Sequence, residues 1–452
     1  MTQDAQNSPL LTAPIPLMTR KIGIPVAVGA TFNTLYNVVD TIYGGLISDD
    51  VLAALSLSFP IFFLLIAFGY GFAQGTTALI GNSMGRDDME QAQQRSVQTL
   101  VFGLLISAFL TIFVTLFSSN ILELMGATDP EFRQLAIDYV NPLFYGAVFF
   151  ISQAMMGSIL NALGQTKPGR NVLIGGFFLN LILDPWFVFG GFGLPAMGIM
   201  GIALATVLVQ ALGCIYLGYV LMKTELISAD ILRRHWVPNL AVFWRILEQG
   251  FPTMLDTLGV SFGFFILNFY VADFGRNAIA AFGAASRLEQ LALLPLLGLN
   301  IAVISLVSRN NGAKKYDRVQ ESLNVSLKYG SIIMFITMVL VGIFARPLMR
   351  LFSSDPEIIQ MGVEYVWIRN LALIPSAFFF LSSSAMRGIE RPIIPLVFNL
   401  LRFFALPWLL IVIFVKWLGY GLTAIWVTST IPLFVMGLAM YLVARAALPK
   451  PE

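Results

Sequence analysis

Apolar runs of about 20 residues or more recur twelve times along this chain, near 22–46, 53–80, 97–118, 139–162, 171–190, 198–222, 247–272, 278–307, 324–345, 363–386, 393–415 and 420–444. A helix rises about 1.5 Å per residue, so about 20 such residues cross the roughly 30 Å of a bilayer's hydrocarbon. Strands of a membrane barrel would be about 10 residues long and would alternate apolar with polar. These runs do neither. The chain is 57% hydrophobic and 12% charged, with a mean hydropathy of +0.80. A soluble domain carries about 25% charged residues, so this sequence has too few to cover a water-exposed surface. The fold expected is an all-α integral membrane protein of twelve transmembrane helices in contact with the lipid bilayer.

Lysine and arginine set the orientation of short loops. With the N-terminal end placed in the cytoplasm, 18 basic residues fall in cytoplasmic loops, among them Arg86, Lys167, Arg234 and Lys315, against 5 on the other side. Both ends are therefore expected in the cytoplasm. The opening MTQDAQNSPLLTAPIPLMTRK lacks the compact apolar core and small-residue cleavage site of a secretory signal. It is expected as a short tail leading into the first span. A net charge of +2 offers no argument for a nucleic-acid partner.

The sequence repeats itself at a shift of about 225 residues. RKIGIPVAVG (20–29) aligns with RILEQGFPTM (245–254), pairing Pro25 with Pro252. GNSMGRDDMEQAQQ (81–94) aligns with SRNNGAKKYDRVQES (308–322), pairing Gly85 with Gly312. LMGATDPEFRQLAIDYV (124–140) aligns with LFSSDPEIIQMGVEYV (351–366), and LGQTKP (163–168) with RGIERP (387–392). The matches keep one order in both halves. Six spans per copy give both copies the same orientation, so the halves should form two six-helix bundles related by a pseudo-two-fold axis along the membrane normal. The lobes expected are 1–222 and 245–452, joined by a cytoplasmic linker at 223–244. Asp129-Pro130 and Asp355-Pro356 read as helix starts, with Asp as N-cap and Pro at the first position, and both are expected to open short helices at the outer face.

Ionisable groups within spans cost about 2.5–3.5 kcal/mol each on insertion scales, so each needs a reason. Asn33, Asn37 and Asp40 share one face of span 1, with Tyr36 beside them. Asp40 sits about 27 Å along that helix, in its outer half. In span 5, Asn180 and Asp184 share a face at i, i+4, and Pro185 weakens the helix there. A loosened backbone, an amide and a carboxylate suit a proton or a small cation. The bland alternatives are an Asp capping an outer loop and an Asp-Pro bend. At the repeat shift Asp40 falls near Leu267 and Asp184 near Trp408, so any coupling to an ion belongs to the N-terminal lobe. Two nearby carboxylates in a medium of low dielectric resist double ionisation, which makes Asp40 and Asp184 a candidate proton-carrying pair. Pro25 precedes Asp40 in the same helix and is the candidate mobile kink.

The second lobe carries Asp256, Arg287, Glu289, Arg369 and Arg402. Asp256 and Arg402 each lie about 12 Å from the inner ends of their spans, so they can pair. Mutual neutralisation and a second ion or substrate contact both stand as readings. The lone Cys214 and lone His235 form neither a disulfide, a metal site nor a nucleophile pair. His235 reads as a solvated loop residue and Cys214 as packing or lipid contact. Walker loops, dinucleotide motifs and nucleophile elbows are all missing, so the expectation is a carrier without cofactor rather than an enzyme.

With those features in place, the chain resembles the multidrug and toxic compound extrusion (MATE) family. The resemblance rests on IPVAVGATFNTLYNVVDTIYGG in span 1, MGRDDMEQAQ after span 2, LNALGQTKP after span 4, NLILDP in span 5 and GIMGIALATV in span 6. It implies a secondary-active exporter, on its own and without a partner subunit, that trades lipophilic or cationic drugs and toxins for H⁺ or Na⁺ at a bacterial or archaeal inner membrane. TLYNVVD and NLILDP look most like the proton-linked, DinF-like branch. For that branch the resemblance implies a site of Asp40, Asn180 and Asp184, with Tyr139 and Thr206 nearby, and a span 1 that bends at Pro25. The Na⁺-linked branch puts acids in spans 7 and 10. Here Asp256 takes a different step after the span 7 proline, and LALIPSAFFFLSSSAMRG in span 10 has no Asp. A lipid or lipid-linked sugar flippase of the same superfamily, and a channel, are the rival readings.

Overall fold

The structure is a computed structural model that describes residues 8–191 and 193–450. The first seven residues of the expected N-terminal tail lie outside the described residues. Among the described residues, ten helices are long and apolar enough to cross a membrane, and two bent helix pairs bring the number to as many as twelve. Numbered 1 to 12 in chain order, the spans are Ile15–Ile47, Asp49–Gly85, Met89–Leu124, the pair Pro130–Tyr145 with Ala147–Ala162, Lys167–Phe189 and Ile199–Leu221, then Leu240–Val271, Arg276–Gly312, Tyr316–Arg350, the pair Pro356–Asn370 with Leu373–Gly388, Ile393–Trp417 and Leu422–Ala447. The fold is all-helical, and its surface carries many large apolar side chains, such as Leu105, Phe109 and Ile112 on span 3. A hydrocarbon solvent accounts for that exposure, where water would not.

Spans 4 and 10 depart from straight rods in the same way. Asp129 caps Pro130–Tyr145 by accepting 2.8 Å from the Phe132 amide, and Asp355 caps Pro356–Asn370 by accepting 2.8 Å from the Glu357 amide. Both aspartates open helices, as the Asp-Pro pairs predict. These helices are 16 and 15 residues long, each the first limb of a bent span. The bends are 47° after Tyr145 and 52° after Asn370. The repeat extends to turn geometry. Asp87 after span 2 and Lys314 after span 8 both take left-handed φ, +61° and +56°, and so do Gly164 after span 4 and Glu390 after span 10, at +72° and +60°.

The chain forms two compact units. One holds residues 28–84 and 88–251, the other residues 1–27, 85–87 and 252–452. In the second unit the first turns of span 1 lie against span 8, where a Cβ on Gly298 would stand 2.2 Å from the Gly23 carbonyl oxygen. Only glycine permits that approach. Residues ahead of span 1 are strapped to the end of span 8 and the start of span 9. The short helix Pro9–Thr12 presents its carbonyls to Asn310, Lys315 and Arg318, which donate to Leu10, Leu11 and Ala13 oxygens at 2.7–3.3 Å. In the first unit the opening turns of span 7 meet span 2 the same way, with a Cβ on Gly75 reaching 2.7 Å from the Gly250 nitrogen. The linker is strapped as well: Gln98 donates to His235 and Val237 oxygens and accepts from the Asn239 amide. His235 thus ends a short helix, Ala229–His235, rather than lying in an open loop.

Apolar packing fills each unit. In the second, Phe282 stacks on Trp426 and Tyr365 meets both rings edge-on, with centroids 5.0–5.8 Å apart. In the first, Phe72, Phe102 and Phe243 form an edge-to-face chain. Cys214 donates to the Phe149 carbonyl at 3.0 Å, a contact between helices.

Candidate functional site

Spans 1, 5, 4 and 6 bring a polar cluster into the apolar interior of the first unit. Asp40 comes from span 1, Asn180 and Asp184 from span 5, Tyr139 from the first limb of span 4, and Thr206 from span 6. Asn180 and Asp184 are one helical turn apart, so both face the same way. Packing sets the approach of the helices: Tyr36, Leu183, Ala205 and Val209 form a small core, with Phe177, Trp186 and Phe187 against it.

The Asn180 amide is the hub. Its Nδ2 donates 2.6 Å to Asp40 and 2.7 Å to Asp184. All three side chains are buried, Asn180 and Asp184 completely. Tyr36, Tyr139 and Thr206 stand within electrostatic reach of the two carboxyls. Buried charges in the first unit are thus both acidic, and no buried lysine or arginine accompanies them among its described residues. Two carboxyls held by one amide, with no counter-cation, can keep a proton between them far more easily than two charges. Two oxygens at this hub, Asn180 Oδ1 and Asp184 Oδ1, have no hydrogen-bond donor. No group of three or more His, Cys, Asp or Glu among the described residues is arranged to hold a metal ion.

Of the residues singled out in the sequence, the fold gathers Tyr36, Asp40, Tyr139, Asn180, Asp184 and Thr206. The Asn37 amide donates 2.8 Å back to the Asn33 carbonyl of its own helix. Pro25 lies within an unbroken span 1, two residues before the chain passes from one unit to the other. In the second lobe, Asp256 pairs with Arg387 and not with Arg402. Arg387 ends span 10, which looks from the sequence like a loop position, but the end of that helix is buried. Glu289 is held by Arg369 at 2.9 Å and by the Tyr365 hydroxyl at 2.6 Å. Arg287 is exposed. The Arg387 partnership and the Gln98 strap escaped sequence reasoning, because nothing local to either residue reveals which carboxylate or carbonyl lies across the bundle.

Ten to twelve apolar spans, with a buried acidic cluster that among the described residues lies in one unit, are the features of a helical membrane carrier. Comparison with known proteins supplies the family. The MatE family profile matches this chain twice, over residues 25–186 and 252–413, and the chain belongs to that family of transporters, which are carriers and not enzymes. The two matches start 227 residues apart, in step with the repeat. The chain is 25% identical over 399 residues to an FAD transporter from Shewanella oneidensis, covering 87% of this chain and 86% of that one. It is 26% identical over 412 residues to a probable multidrug resistance protein NorM from Thermotoga maritima, covering 90% and 87%. Among solved structures it resembles a MOP superfamily transporter from Pyrococcus furiosus, described for the reverse polarity of its binding pocket, with a TM-score of 0.91, 26% identity and full coverage of both chains.

Proposed function

We propose that this protein is a proton-coupled antiporter that exports lipophilic or cationic compounds, with Asp40 and Asp184 as the proton-carrying pair and Asn180 as the donor that holds them. The observation that carries the reading is the single amide bridging two buried carboxylates with no cation beside them. Entry of a proton removes charge from the interior of the N-terminal lobe, lets span 1 repack against span 5, and withdraws the acidic face that attracts a cationic substrate. Loss of the proton restores it. Outside acid then drives release to the outside, and inward proton flow powers export. Membership of the MatE family and the multidrug name of the Thermotoga relative support the substrate class. TLYNVVD and NLILDP support the DinF-like branch. On this reading the lobes 1–222 and 245–452 are the moving bodies, the linker 223–244 and both ends are cytoplasmic, the protein works as a monomer in a prokaryotic inner membrane, and Tyr36, Asn37, Tyr139 and Thr206 line the path.

Transport in proteoliposomes tests it. Asp40→Asn and Asp184→Asn keep size and hydrogen bonding but cannot titrate. Each should insert normally, and uphill export under an imposed pH difference should fall at least about tenfold, which is about 1.4 kcal/mol of coupling. If both variants export at the wild-type rate, the carboxylates are structural. If export follows a Na⁺ gradient at fixed pH, the proton assignment is wrong.

A further inference from the structure

The interior of the second unit has the opposite electrical character to that of the first. Among its described residues four arginines are buried, Arg309, Arg369, Arg387 and Arg402, and the last three share the interior with two carboxylates, Asp256 and Glu289. Both carboxylates are already taken, Glu289 by Arg369 and Tyr365, and Asp256 by Arg387. Arg402 is left over. It is 1% exposed, and among the described residues no carboxylate lies in ion-pair contact with it. The charged groups that act on it are Asp256, Glu289 and Arg369.

The contacts of Arg402 use part of the guanidinium only. Nη2 donates 2.7 Å to Ser376 Oγ. The flat face lies 4.3 Å from the Phe379 ring centroid and 5.0 Å from those of Phe380 and Phe403. Nε and Nη1 are buried with no hydrogen-bond partner among the described residues. Aromatic faces satisfy the charge without consuming in-plane N–H groups. The residue rides on a π-helical stretch, Leu401–Ala405, inside span 11. Wide turns of this kind recur at functional sites. An unneutralised buried cation with free donors in its plane is costly unless something negative meets it.

We propose that Arg402 is an anion-binding site inside the C-terminal six-helix bundle, taking a halide or the carboxylate or phosphate group of a transported compound on Nε and Nη1. The site adds an anionic ligand to the cation-coupled reading of the N-terminal lobe and does not depend on it, because binding is read without transport. The rings hold the guanidinium in place, Ser376 fixes its rotation, and the paired Asp256 and Glu289 leave its positive charge uncompensated.

The test is the thermal unfolding midpoint of the purified full-length protein in detergent, at constant Na⁺ and ionic strength, with a bulky sulfonate replaced stepwise by chloride, phosphate or benzoate. Wild type should gain about 3 °C or more, saturably, with at least one of the three. Arg402→Gln should lose that gain. A gain with chloride alone identifies an inorganic anion, and a gain with benzoate or phosphate that competes with chloride identifies the anionic group of a larger compound. No gain with any anion, or an equal gain in Arg402→Gln, overturns the proposal. If Arg402→Gln does not fold, bromide-soaked crystals of wild type decide. An anomalous peak within hydrogen-bond reach of Arg402 Nε or Nη1 supports the site, and no peak there overturns it.

Discussion

One amide, Asn180, ties two carboxylates of different helices together, and one arginine, Arg387, neutralises a third in the other bundle. These two solutions to a buried acid respond differently to mutation. At the Asn180 hub the charge can leave by protonation. At Asp256 the partner is a guanidinium, and the cost of burying the two groups is met by Coulomb attraction and hydrogen bonds between them. Removing one member strands the other. Asp256→Asn should therefore cost about 3–5 kcal/mol, seen as a fall in the unfolding midpoint of the detergent-solubilised protein. Replacing both, as Asp256→Leu with Arg387→Met, should recover most of the loss, since an apolar pair of similar volume needs no desolvation. A double variant as unstable as the sum of the single ones would show that the pair is not acting as a unit. At this scale the sequence was informative for Asp40, Asn180 and Asp184, since carboxylates in spans stand out and i, i+4 spacing assigns a shared face. Arg387 was not legible, because the end of a helix is exposed in most proteins and buried here.

Among the elements, span 1 carries the most instructive tension. Its residues up to Ala27 belong to one compact unit and those from Val28 to the other, and Pro25 lies at that passage. The repeat partner Pro252 opens the corresponding passage in span 7. A helix-interior proline removes one backbone hydrogen bond and crowds the preceding turn, so bending is easiest there. Pro25→Ala restores the bond. The variant should be at least as stable as wild type to heating, while its transport rate in vesicles falls severalfold. Wild-type transport by a well-folded Pro25→Ala protein would remove any role for a mobile kink. The prolines, the repeat and the Asp caps were readable from residue order. The bends in spans 4 and 10 and the π-helical turns of span 11 were not. A hydropathy run looks the same whether its helix is straight, broken by one turn or widened by one residue.

For the whole molecule, the asymmetry of basic residues predicts which loops face the cytoplasm. The loop at Ser48 follows span 1 and Asn311 lies in the last turn of span 8, an odd and an even span. Single cysteines at these two positions, in a background with Cys214→Ser, should be labelled by an impermeant thiol reagent from opposite sides of the membrane. Labelling of both from one side would refute the arrangement with both ends in the cytoplasm. Composition alone determined that this chain lives in lipid, and apolar runs located the ten to twelve spans that the structure holds, because the bilayer demands a minimum apolar length and satisfied backbone hydrogen bonds from any sequence. Tertiary structure decided everything that depends on which side chains meet. It chose Arg387 over Arg402 for Asp256, gathered Tyr139 and Thr206 around an acidic hub, assigned the first turns of spans 1 and 7 to their compact units through glycine contacts, and left Arg402 with donors to spare. Those choices rest on helix rotation and on ångström-scale packing between segments hundreds of residues apart, and neither is written in the local order of residues.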